Sequence, residues 1–73
     1  MLSPIKKGSR GGDVVLCQDC LNKHGIPCNI DGVFGPGTEA KIKEFQQVNG
    51  LKEDGILNSD TWVKLLSNPE WFR

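Results

Sequence analysis

A chain of 73 residues can build one small hydrophobic core but not a second domain beside it, and a core of that size leaves little room for a deep, water-excluding active site. Nine Lys and Arg residues balance nine Asp and Glu residues, which excludes the global field that draws a protein to nucleic acid or an anionic membrane. A polymer bound by such a surface is expected to be held mainly by shape and hydrogen bonds.

The predicted elements follow in chain order. Met1 to Lys7 lack the apolar run of a signal peptide, and no stretch approaches the ~20 apolar residues of a membrane span. The export route is therefore expected outside this chain, in a longer secreted protein or in release by lysis. Val14, Cys17, Leu21 and His24 recur at helical spacing between the breaks at Gly11-Gly12 and Gly25, which predicts a first helix over 12–24. Gly35-Pro36 reads as an N-cap followed by proline at the first helical position. The helix it opens runs over 36–49, with Ile42, Phe45 and Val48 or Asn49 on one face and Gly50 as the stop. Asn58-Ser59 caps a third helix over 59–66, with Trp62, Leu65 and Leu66 inward. Val33, Phe34, Leu51, Ile56 and Leu57 are expected to anchor the loops in the same core, which spans about residues 6–66. Residues 67–73 form a tail carrying Trp71 and Phe72 beyond Pro69, placed as a docking segment, a domain contact or a linker.

The chain also matches itself. Asp31-Gly32-Val33-Phe34 followed by Thr38 corresponds to Asp54-Gly55-Ile56-Leu57 followed by Thr61, an offset of 23 residues (54 minus 31). Each copy is a turn that leads into a helix, because glycine accepts a positive φ and the Asp carboxylate can accept from backbone N–H groups just downstream. The expected fold is all-α: a small three-helix bundle built on a repeated Asp-Gly loop and helix, a single domain over 1–73. Short extended contacts are expected between the two Asp-Gly loops.

In order along the chain stand Gly8, Asp13-Val14, Gln18, Leu21 and Gly25, then Asp31 to Thr38 (DGVFGPGT), Ile42 and Phe45-Gln46, and then Gly50-Leu51, Asp54-Gly55, Thr61-Trp62 and Leu65. In this series the chain resembles the type 1 peptidoglycan-binding family of bacterial and phage cell-wall hydrolases. The resemblance runs from Lys6 to Leu66. Lys41 stands where the family usually has Ala, Cys17 where it often has Leu, and Asn58-Ser59 where a second Gly-Pro is common. The resemblance implies a non-catalytic module that binds peptidoglycan, through its glycan or its stem peptide. A catalytic domain of the parent protein, an amidase, peptidase or muramidase, would be the partner, outside the cell or at the wall.

Candidate ligand contacts are Asp31, Phe34, Thr38, Gln46 and Trp62. Each has a structural alternative. Asp31 and Asp54 suit turns whose carboxylates bond their own backbone, Thr38 and Thr61 suit bracing of the first helical turn, and Gln18 and Gln46 suit buried amides satisfied by a loop. Trp62 can stack on a sugar ring or pack in the core. Cys17, Cys20, His24 and Cys28 approach a zinc-knuckle spacing, but the first three fall in a helix, so no metal and no other cofactor is expected. Cys20 and Cys28 can bridge the helix end or remain thiols. With one histidine, no Ser-His-Asp set and no His-x-x-x-His pair, catalysis by this chain is not expected. The second functional reading, a docking or inhibitory pro-segment of a peptidase, calls for a cysteine after the bundle; no cysteine follows position 28.

Overall fold

The structure is a computed structural model, and it describes residues 4–67. The tail with Trp71 and Phe72 lies outside the described residues. Three helices appear where the apolar spacing and the breakers place them: α1 over Gly12–Lys23, α2 over Pro36–Val48 and α3 over Ser59–Leu66.

The helix ends are set by local chemistry. Gly35 is the N-cap of α2 and Pro36 opens it, where a missing N–H costs no intrahelical bond. Asn58 caps α3 by accepting a 3.1 Å hydrogen bond from the Thr61 N–H. At the C-termini of α1 and α2 the chain turns through Gly25 and Gly50, with φ of 81° and 69°. In each case the next N–H reaches back to the last turn, Ile26 to the Leu21 carbonyl at 2.9 Å and Leu51 to the Gln46 carbonyl at 2.8 Å. A side chain at either glycine would strain the backbone, and the turn would no longer drop Ile26 and Leu51 onto the core.

The core joins all three helices. Val14, Cys17, Cys20 and Leu21 enter from α1, Ile42 and Phe45 from α2, and Trp62 and Leu65 from α3. Ile5, Ile26, Phe34 and Leu57 complete it from the connecting segments. Leu51 and Cys28 pack against its edge. His24 is half-buried, edge-on to Phe45 with ring centroids 5.0 Å apart, and its Nε2 lies 2.9 Å from the Leu65 carbonyl. The carbonyl can only accept, so Nε2 carries the proton.

Several expected core positions face solvent. Val33 is 39% exposed while Phe34 is buried, because neighbours in an extended segment point to opposite sides. Leu66 is 48% exposed beside the buried Leu65, one helical step off the core face of α3. Val48 is exposed for the same reason on α2, and Asn49 takes the inward turn.

The extended contacts also differ from the expectation. The two Asp-Gly loops do not pair with each other; the N-terminal segment pairs with both. Ile5 bridges Leu57, with N–H to carbonyl distances of 3.3 and 2.8 Å, and Arg10 bridges Val33. Between them Gly8 donates to the Phe34 carbonyl and the Phe34 N–H donates to Ser9. One strap thus ties the two loop and helix units together, and Ile5, buried beneath it, extends the core past Lys6.

Candidate functional site

Each Asp-Gly turn is organised around a buried glutamine from the preceding helix. Gln18 Nε2 donates to Asp31 Oδ1 at 2.9 Å, to the Val33 carbonyl at 3.1 Å and to Thr38 Oγ1 at 3.1 Å. Its Oε1 accepts from the N–H groups of Asp31 and Gly32. Gln46 repeats the pattern, donating to Asp54 Oδ1, the Ile56 carbonyl and Thr61 Oγ1, and accepting from the Gly55 N–H. Both glutamines are fully buried, and no buried side-chain polar atom among the described residues lacks a partner. A buried amide without partners would cost about 1–3 kcal/mol, so each network fixes its turn to its helix. The bonds from Val33 N–H and then Gln18 hold the Asp31 carboxyl below the usual carboxylate range; Ile56 N–H and then Gln46 do the same for Asp54.

The two units differ in what lies between glutamine and turn. Twelve residues separate Gln18 from Asp31 (positions 19–30), and seven separate Gln46 from Asp54 (positions 47–53). The extra length lets α1 run past its glutamine and fold a longer loop. Asn22 clamps that loop: its Nδ2 donates to the Gln18 and Cys28 carbonyls, and its Oδ1 accepts from the Cys28 N–H. Beside it opens a cleft of about 580 Å³. Asn22, Pro27, Cys28 and Asn29 line it from α1 and the loop, Asp31 and Val33 from the turn, and Gly35, Gly37, Thr38 and Lys41 from α2. At the second turn, Asn58 and Asp60 stand at the places of Gly35 and Gly37. A Cβ at Gly35 or Gly37 would meet nothing within 4 Å, so these two glycines leave their side of the cleft open.

Of the residues singled out from the sequence, the cleft brings together Asp31 and Thr38. Phe34, Gln46 and Trp62 are buried at 1%, 0% and 2% exposure and are absent from the cleft lining; Gln46 serves the second turn. Asn22, Pro27, Asn29 and Lys41 are lining residues that sequence reasoning did not select. The unequal spacing from glutamine to Asp-Gly in the two copies is the signal that marks their loop.

The three cysteines are free thiols. Burial pushes the Cys17 thiol up to about 12 and raises that of Cys20, as expected for small apolar core residues. Among the described residues no three His, Cys, Asp or Glu side chains converge as a metal site, and no helix is long and apolar enough to cross a membrane.

The model of the peptidoglycan binding domain family matches residues 10–65, which include both Gln-centred turns and the whole cleft lining. The chain belongs to that family. The spore cortex-lytic enzyme of Bacillus subtilis (strain 168) is 38% identical over 71 residues, 94% of this chain and 23% of the enzyme. A fused Zn-dependent amidase/peptidase/peptidoglycan-binding domain-containing protein from Clostridium acetobutylicum ATCC 824 superposes with a TM-score of 0.90 at 34% identity, over 97% of this chain and 32% of that one. The Burkholderia AP3 phage endolysin does so with a TM-score of 0.86 at 34% identity, over 89% of this chain and 25% of that one. This chain thus spans between 23% and 32% of the lengths of these three relatives. It is a peptidoglycan-binding module of the kind carried by cell-wall hydrolases, and the family it matches is a binding family rather than a catalytic one.

Proposed function

We propose that this module holds a cell-wall hydrolase on its substrate, with the glycan or the stem peptide lying in the cleft between the α1–α2 loop and the start of α2. The catalytic domain belongs to the rest of the parent protein, and the pair works at the wall, after export or after lysis. Residues 1–73 act as one binding unit, with the core over about 6–66.

The observation that carries this reading is the cleft itself: a concave surface lined by amides, a hydroxyl, two glycines and one charge of each sign, in a chain whose charges balance. Asn22 and the Gln18 network hold the lining residues in place before any ligand arrives, so binding orders little chain. A shallow site of this kind binds weakly. Repetition of the polymer and the tethered enzyme raise the effective concentration, which makes weak binding sufficient.

The test is co-sedimentation of the isolated module with insoluble peptidoglycan, with the supernatant assayed for soluble muropeptides and reducing sugar. Binding without release is expected. A native module that stays in the supernatant contradicts the reading.

A further inference from the structure

The cleft lining contains two charged side chains, Asp31 from the first turn and Lys41 from α2, and among the described residues neither has an ion-pair partner. Among the described residues the ion pair is Lys23 with Asp19, on the exposed side of α1. Asp31 uses Oδ1 for the Gln18 amide and the Val33 N–H, and among the described residues its Oδ2 has no donor. Lys41 is half-buried and makes no side-chain hydrogen bond among the described residues. The other lining groups, Asn22, Asn29, Thr38 and the glycines, carry no charge. Opposite charges lining one cleft, Asp31 exposed and held by its turn and Lys41 half-buried, are matched best by a ligand that carries both signs, because each charge-assisted hydrogen bond is about twice as strong as a neutral one.

Peptidoglycan offers such a ligand in one of its two components. The glycan presents hydroxyls and acetamido groups. The stem peptide ends in carboxylates and, where its diamino acid is not crosslinked, also presents a free ammonium. We propose that the cleft takes the zwitterionic end of an uncrosslinked stem peptide in preference to the glycan, with the carboxylate toward Lys41 and the ammonium toward Asp31. This rests on the wall-binding reading and narrows it to a component. Crosslinking converts that ammonium into a neutral amide, so the module discriminates open from crosslinked wall.

The experiment titrates the isotope-labelled chain, followed by NMR, with three probes: the soluble tripeptide L-Ala-γ-D-Glu-meso-diaminopimelate, the same peptide acetylated on its side-chain amine, and glycan stripped of peptide by an amidase. Binding to intact sacculi is measured alongside. The tripeptide is expected to shift the amides of Asn29, Gly37 and Thr38, and acetylation to weaken it about tenfold or more. Lys41→Ala, which removes no hydrogen bond of the fold, is expected to weaken the tripeptide by a similar factor with the rest of the spectrum unchanged. Equal binding of stripped glycan, or indifference to acetylation and to Lys41→Ala, overturns the assignment. Binding to sacculi without any response to the tripeptide overturns it too and leaves wall targeting standing. Loss of sacculus binding altogether overturns both.

Discussion

Gln18 and Gln46 make the same hydrogen bonds in two successive units: each amide nitrogen donates to an Asp carboxylate, to the carbonyl two residues later and to a Thr hydroxyl. A chain with little apolar surface to bury thus fixes two loops with two buried amides. Gln46→Ala leaves Asp54, the Ile56 carbonyl, Thr61 and the Gly55 N–H without their shared partner. We expect a loss of about 3 kcal/mol in urea denaturation, from several weakened or orphaned polar groups at once. A loss under about 1 kcal/mol would mean that water replaces the amide at no cost.

Phe45 sits between the helices at 1% exposure and meets the edge of His24. Phe45→Ala is expected to destabilise by about 3–5 kcal/mol, from lost burial and the cavity left behind. The same denaturation experiment reads it.

Acid weakens the two turns in a predictable direction. Asp31 and Asp54 have carboxyls held below their ordinary value in the folded chain. Their contribution is therefore complete above the unfolded carboxylate range, near pH 4, and is lost as pH falls through the folded values. The urea midpoint should fall between about pH 5 and about pH 2, and it should fall less in an Asp31→Asn, Asp54→Asn variant, which keeps the oxygen acceptor without the titration. An unchanged slope would show that other carboxylates set the acid limb.

The cysteines should separate by reactivity. Cys28 is half-buried at the cleft, whereas Cys17 is fully buried with its thiol pushed up to about 12. Iodoacetamide followed by peptide mass analysis should modify Cys28 first and Cys17 only on unfolding, and wall fragments should protect Cys28. Early labelling of Cys17 would contradict the packing of α1.

The helices were legible because their ends carry explicit chemistry: Gly25 and Gly50 stop α1 and α2, and Gly35-Pro36 and Asn58 start α2 and α3. The burial of Cys20 and Ile26 was less so, since a cysteine near two others invites a chemical reading and Ile26 lies beyond its helix. The reach of Gln18 across to Thr38 was visible as a half-buried amide needing a loop, but the full set of partners depends on how two turns fold back. The cleft was hidden for a different reason. It arises where a longer α1–α2 loop faces glycines at the start of α2, and neither stretch alone marks a surface. Phe34 and Trp62 drew attention as aromatic ligand contacts, yet so small a core needs both rings for itself.

Gly37 supplies the most direct test of the cleft as the binding surface. Its φ lies outside the left-handed region, and a Cβ built there meets nothing within 4 Å, so a large side chain fits the helix and fills the cleft. Co-sedimentation with intact sacculi is then measured for the wild type and Gly37→Trp, with circular dichroism and the melting temperature as controls. The account predicts that the wild type pellets, that Gly37→Trp stays in the supernatant, and that both melt as three-helix domains at similar temperatures. Equal pelleting of the two folded proteins would contradict it.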